Sequence, residues 1–251
     1  MRPGRVWRAT GCANETITVD FGAITGFDAL TVVNHNEDAN GTIRAELSTD
    51  AGFTDLVYDQ TKAGLEPDAG LGDDGFGDSL GGTPLDGDPY KSQSLSVFRF
   101  GGRLYGRYAR FTFVNPDLAA GYIQAGRVGA YLEYQPEDTG AEYGWSWRWN
   151  DPSQITDTER SVFTVNRPRY RVMTFKMPAV KQSEAFGPIN RMRKVLGKSK
   201  DMIVSACPGE YWDANAAQVA TIYGLMAEDA GIDNPFFQRF ATQITARELV
   251  P

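Results

Sequence analysis

Ile17-Thr18-Val19-Asp20-Phe21-Gly22 alternates apolar and polar side chains and stops at a glycine, the pattern of a half-buried strand entering a turn. The same alternation returns in Ala29-Leu30-Thr31-Val32-Val33-Asn34, Thr42-Ile43-Arg44-Ala45-Glu46-Leu47-Ser48 and Ser94-Leu95-Ser96-Val97-Phe98-Arg99-Phe100. Arg107-Tyr108-Ala109-Arg110-Phe111-Thr112-Phe113 and Ala125-Gly126-Arg127-Val128-Gly129-Ala130-Tyr131-Leu132 complete the set. Short strands punctuated by Gly, Asn, Asp and Pro predict a β-sandwich over residues 1–135.

The 251 residues allow one large β domain or two of ordinary size. Charge favours two. Residues 1–135 hold eleven Lys and Arg against eighteen Asp and Glu, whereas residues 136–251 hold fourteen of each, so the whole net charge of −7 belongs to the first half. An acidic surface repels phosphates, which argues against nucleic-acid binding. The N-terminus is basic but leads into no apolar run of signal-peptide length. No stretch approaches the roughly 20 apolar residues that cross a bilayer, so the chain reads as a soluble protein made in the cytosol. Cys12 and Cys207 lie far apart without CxxC spacing, and free thiols are the expectation.

Residues 136–160 read as a linker or arm with one unusual strand. Tyr143-Gly144-Trp145-Ser146-Trp147-Arg148-Trp149-Asn150 spaces three tryptophans by two, and in an extended strand that spacing puts Trp145, Trp147 and Trp149 on one face. Such a platform suits packing between domains or protomers better than sugar stacking, given its place beside the linker. Beyond it, residues 161–166 and 170–177 read as strands around Arg167-Pro168. Ala185, Phe186, Ile189, Met192, Val195 and Leu196 recur at threes and fours, predicting a helix over residues 183–197 with Ser183 as cap and Gly197 as stop. Its opposite face carries Arg191, Arg193 and Lys194, with Lys198 and Lys200 beyond, and reads as a solvated surface. Strands follow over residues 201–206, 217–226 and 236–249. The order makes residues 161–251 an α+β domain with one helix on a sheet.

Catalytic equipment is absent from the sequence: there is no P-loop, GxSxG, HExxH or zinc spacing, so a non-enzyme without a cofactor or metal is expected. His35 has no Ser, Cys or carboxylate nearby to complete a catalytic set and reads as a polar turn residue. Asp20 and Asp28 read as turn acids. Between Lys62 and Lys91 the acids Glu66, Asp68, Asp73, Asp74, Asp78, Asp86 and Asp88 are interleaved with glycines. Carboxylates on so pliable a backbone, Asp68, Asp73, Asp74 and Asp78 foremost, are the one candidate Ca²⁺ loop. A solvated acidic loop is the commoner outcome of such a composition.

Two resemblances add to this. Trp7, residues 17–22, residues 109–113 and Gly126-Arg127-Val128-Gly129-Ala130-Tyr131 resemble the galactose-binding-like, discoidin-type jelly roll, which implies a ligand site at loops on one end of the sandwich. Residues 170–177, the helix, residues 202–206, Ile222-Tyr223-Gly224 and residues 240–249 resemble the belt domain of phage distal tail proteins and the related tail-tube fold. In distal tail proteins accessory domains usually follow the belt, whereas here the sandwich precedes it. The resemblance implies a virion tail protein made in the host cytoplasm, forming a homohexameric ring with tail tube, hub and baseplate proteins as partners. The interface candidates are Trp145, Trp147, Trp149, Phe240 and Ile244, the last two on the strand expected at the sheet edge. The alternative is a glycan- or receptor-binding virion protein using sandwich loops and aromatics such as Tyr90 or Tyr105.

Overall fold

The computed structural model describes residues 6–38, 40–64, 94–136, 145–158, 161–165, 167–206 and 220–249. The chain is mainly β, and it divides into two compact units with Glu133 in the first and Tyr134 in the second.

The first unit contains β1 (Trp7–Arg8), β2 (Glu15–Val33), β3 (Thr42–Ser48), β4 (Leu56–Ala63), β5 (Leu95–Val114), β6 (Gln124–Ala125) and β7 (Arg127–Tyr131). Five of these form an antiparallel sheet in the order β4-β3-β5-β2-β7, and β1 pairs with β6 as a separate ribbon. Directly paired residues share a face. Ile43 with Phe113, Ala45 with Phe111 and Leu47 with Ala109 therefore line one side, continued by Ile17 and Val19 of β2. Ile123 and Ala125 close this core from the ribbon, and Phe111, Phe113 and Ile123 are fully buried. Each such side chain contributes about 1.5–3 kcal/mol through burial.

The opposite face carries a charged cluster. Glu46 is completely buried, yet Arg110 donates to both its oxygens at 2.6 and 2.8 Å. Arg44 adds a contact to Glu46 at 3.1 Å and forks onto Asp59, and Arg110 lies 4.2 Å over the Phe53 ring. Beside it, the Asp50 carboxylate accepts from the N–H groups of Asp55, Thr54 and Gly52, which holds it well below the usual carboxylate range.

Two expected strand pairs are longer than the alternation indicated. Residues 17–22 and 29–34 belong to the single strand β2, and residues 94–100 and 107–113 to β5. The breaks are bulges: register shifts between Asp20 and Thr25 and between Phe27 and Ala29. Gly22 (φ +81°) and Gly101 (φ +72°) supply the left-handed residues there, so glycine bends the strand where a turn was expected. β4 has no counterpart in the expected set.

In the second unit, β8 (Trp145–Asn150), β11 (Tyr170–Lys181), β12 (Asp201–Ser205), β13 (Thr221–Phe236) and β14 (Arg239–Glu248) form an antiparallel sheet in the order β12-β13-β14-β11-β8. β9 (Gln154–Thr158) and β10 (Ser161–Val165) pair as a hairpin. The expected arm thus supplies an edge strand of the sheet. Between the strands expected over residues 217–226 and 236–249, β13 continues to Phe236 and pairs with β14 through repeated bulges, and the chain reverses at Phe237 and Gln238, the latter at φ +59°. The helical segment runs through α1 (Gln182–Glu184), a π-helical turn (Ala185–Ile189) and α2 (Asn190–Leu196), ending at Gly197 (φ +50°) as anticipated. Pro188 lies in the π turn, which accommodates a residue unable to donate an N–H. That turn rotates the buried stripe. Ala185 and Ile189 are buried, while Phe186 and Val195 are half-exposed, so two of the six stripe positions face outward. No helix among the described residues is long and apolar enough to cross a membrane.

His35 is not a turn residue in solvent. It is 4% exposed, with Nε2 3.0 Å from Ser96 Oγ, and burial lowers its pKa from 6.5 to about 4. The unfolded chain takes up this proton near pH 6.5, so acidification from 6.5 towards 4 costs stability, by about 1.4 kcal/mol per pH unit for one proton. Glu37, whose pKa burial raises, acts in the opposite sense: its contribution is lost as pH rises through its folded value. The thermal midpoint is expected to fall between pH 6.5 and 4.5, and His35→Gln to flatten that slope. Identical slopes in both proteins would rule out His35 as the cause.

Candidate functional site

The most distinctive surface is the β8 edge of the second unit's sheet. Trp147 pairs with Met173, and Trp149 with Arg171, so all three tryptophans share the core-facing side, as their spacing indicated. Their environments differ. Trp145 packs against the cluster of Met173, Phe175, Met202, Ile222, Met226 and Ala246, whereas Trp147 and Trp149 are 41% and 43% exposed. Their rings meet edge to face at 6.4 Å and 79°, a favourable aromatic arrangement.

Beneath Trp149 lies the most buried ion pair among the described residues. Arg171 and Glu248 have side chains 2% exposed, with Nη2 donating to Oε1 at 2.6 Å. Nε donates to the same carboxylate at 3.1 Å and the Arg171 backbone N–H at 2.8 Å. Gly224 pairs with Glu248 and is held there by space: a Cβ would stand 2.1 Å from the Arg247 carbonyl oxygen. Trp149, Arg171, Glu248, Gly224 and Met202 thus follow one another across all five strands.

Both outer strands of this sheet have one partner each among the described residues, β11 for β8 and β13 for β12. Their outer sides present backbone donors and acceptors that a further strand satisfies.

Phe240 and Ile244, expected at an interface, belong to the core instead. Phe240 is 8% exposed in the cluster of Met177, Val180, Ala185 and Ile189, and Ile244 is half-buried against it. The π turn brings Phe186 edge-on to Phe240 at 5.0 Å, so the aromatics left outside are Phe186 and Phe237, the latter 88% exposed. With Lys181, Gln182, Ser183, Gln238 and Arg239 they line an open depression of about 700 Å³. The helix's basic face is also partly drawn inward: Arg193 donates to Thr242 Oγ1 at 2.6 Å and to the Gln243 carbonyl at 3.0 Å.

In the first unit the bulges gather a smaller patch. Tyr105 is 59% exposed opposite Gly26. Arg103 forks onto Asp28 at 3.1 and 3.0 Å, and the same carboxylate accepts from the Glu133 N–H. Arg103 is the main reason the Asp28 carboxyl sits below its ordinary pKa. Nearby, Arg107 binds Asp20 in the same bidentate way and pulls its pKa down to about 2. Both turn acids are therefore ion-paired across β2 and β5.

Asp68, Asp73, Asp74 and Asp78, together with Tyr90 and Cys207, lie outside the described residues. Among the described residues no three His, Cys, Asp or Glu side chains gather as a metal-ligand set. Cys12 is a free thiol. Sequence reasoning missed the Arg171–Glu248 pair, because nothing local marks residues 77 positions apart as partners.

No family model matches the chain, and no curated protein matches it. Among solved structures, it is similar to a truncated AlyQ with CBM32 and alginate lyase domains at 16% identity and a TM-score of 0.28. The match covers 71% of this chain and 42% of that one; at that TM-score it carries no argument.

Removing one partner of a buried pair strands the other's charge, at a cost of about 3–5 kcal/mol. Arg171→Met is expected to lower the unfolding free energy by this amount in urea titration, and the added change Glu248→Leu to recover much of it. A single variant as stable as the wild type would show the pair to be dispensable.

Proposed function

We propose that this chain is a structural component of a phage tail or baseplate, its second unit forming a ring of six copies at the tube-to-baseplate junction and its first unit serving as a docking or decoration domain. The observation that carries this reading is the pair of edges on the second unit's sheet that have no further strand among the described residues, one bearing Trp147 and Trp149 half-exposed. Open edges template association. Tryptophan is the residue most enriched where interfaces derive their energy. In a ring each copy uses two different surfaces, and a sheet with two such edges provides two. The belt-like order of strands and helix noted in the sequence agrees with this reading.

Light scattering of the purified chain at micromolar concentration is expected to give a mass near six copies, and negative-stain images closed rings. Trp147→Ser with Trp149→Ser is expected to shift the mass towards the monomer while leaving the thermal midpoint within a few degrees. A wild-type monomer at every concentration would remove the self-assembly reading.

A second reading, glycan binding by the first unit, is favoured by one observation: Tyr105 stands exposed beside the Arg103–Asp28 pair. An aromatic face next to fixed planar hydrogen-bonding groups suits a sugar ring. Weak sites gain avidity when repeated around a ring. A glycan array is expected to show binding that Tyr105→Ala abolishes; no signal from the multimeric protein would remove this role.

A further inference from the structure

We infer that Asn40 is a site of spontaneous deamidation whose rate the fold controls, with Asp38 as the group that holds the reaction back. Asn40-Gly41 is the chain's one Asn-Gly pair, and Asn40 stands exposed in the turn before β3. The inference is independent of both the ring and the glycan readings.

Water is the only co-reactant. The Gly41 backbone nitrogen gives up its proton and bonds to the side-chain carbonyl carbon of Asn40; the amide carbon–nitrogen bond breaks, and ammonia leaves a five-membered succinimide. Water then opens the ring at one carbonyl to give aspartate, or at the other to give isoaspartate, in which the backbone runs through the side chain. A following glycine favours the attack, because no Cβ hinders the nitrogen as it turns towards the side chain. The nitrogen must be free to make that turn.

The fold both imposes this pair and restrains it. A Cβ on Gly41 would stand 2.7 Å from Asn115 Nδ2 and closer still to Glu37 Oε2. Asn115 and Glu37 are buried and joined to each other by a hydrogen bond of 3.0 Å, so neither retreats without disturbing packed surroundings. Glycine is therefore required at position 41. The nitrogen that would attack is held in turn: it donates to the Asp38 carbonyl and to Asp38 Oδ1, both at 3.2 Å. Oδ1 also accepts from the Asn40 N–H at 2.9 Å and from Asn115 Nδ2 at 3.0 Å. On the other side of the residue, the Gly41 carbonyl accepts from the Gly64 N–H at 2.7 Å, and Thr42 pairs with Ala63 and Val114. Attack thus waits for a local opening that releases the Gly41 N–H from Asp38. The products are damaging here. Either one sets a new carboxylate beside Glu37 and Asp38, and isoaspartate also lengthens the backbone just ahead of β3.

The test is peptide mass spectrometry on the full chain aged at mildly alkaline pH, with the exchange of amide for carboxylate assigned to residue 40 by fragmentation. The native wild type is expected to convert at least on the order of tenfold more slowly than the same chain in urea. Asp38→Ala, checked as folded by circular dichroism, is expected to convert near the urea rate. Asp38→Asn keeps an oxygen at the Oδ1 position and is expected to age as slowly as the wild type. Conversion of the native wild type at the urea rate overturns the inference, and so does a folded Asp38→Ala that ages like the wild type. Where Asp38→Ala does not fold, Asp38→Asn decides: slow conversion upholds Oδ1 as the restraint, and conversion at the urea rate refutes it. Gly41→Ala is expected to lower the urea midpoint of unfolding; an unchanged midpoint would show that the fold does not demand glycine there.

Discussion

The second unit depends on the ion pair between Arg171 and Glu248. Arg171 is the largest fully buried side chain among the described residues, and an isolated charge at such a place is untenable unless a counter-ion meets it with its hydrogen bonds satisfied. Glu248 does so with both oxygens and also takes the Arg171 backbone N–H. The pair therefore ties the start of β11 to the end of β14, and a slip of either strand by one residue would send one of the two side chains to the opposite face. Gly224 adds a steric condition on the same row, because only a residue without a side chain lets β13 approach the β14 backbone so closely.

What the pair holds in place is the row that ends in Trp149. With β11 and β14 locked in register, β8 presents Trp147 and Trp149 on one side of the sheet. The exposure of this tryptophan pair is thus the consequence of an internal constraint. The helix plays a complementary part: its π turn buries Ala185 and Ile189 over Phe240 and leaves Phe186 to shield that ring from the side.

The first unit solves a similar problem differently. Glu46 is buried but shared between Arg110 and Arg44, whose own side chains reach the surface, so the charge is compensated at the rim of a face that also carries Phe53. His35, buried in the same unit, meets a serine hydroxyl and stays neutral. The two units thus place fixed charges where register matters and a neutral histidine where packing alone decides.

Much of the fold was legible in the chain. Alternation over Thr42–Ser48 marked a strand with its bounds intact, Gly197 marked the helix end, and the spacing of the tryptophans put them on one face. These are local properties, set by the two-residue period of an extended backbone and by the conformations open to glycine, and a sequence carries them in full. The candidate site was legible only in part: Trp147 and Trp149 were visible as a platform, but Phe240 and Ile244 read as edge residues and proved to be core. Tertiary structure alone decided that β13 lies along β14 through residue 236, that His35 is buried, that Arg171 meets Glu248, and that β8 and β12 are the outer strands of the second unit's sheet among the described residues. Each of these depends on which distant segment lies across a residue, and burial and pairing between segments far apart in the chain have no local period to announce them.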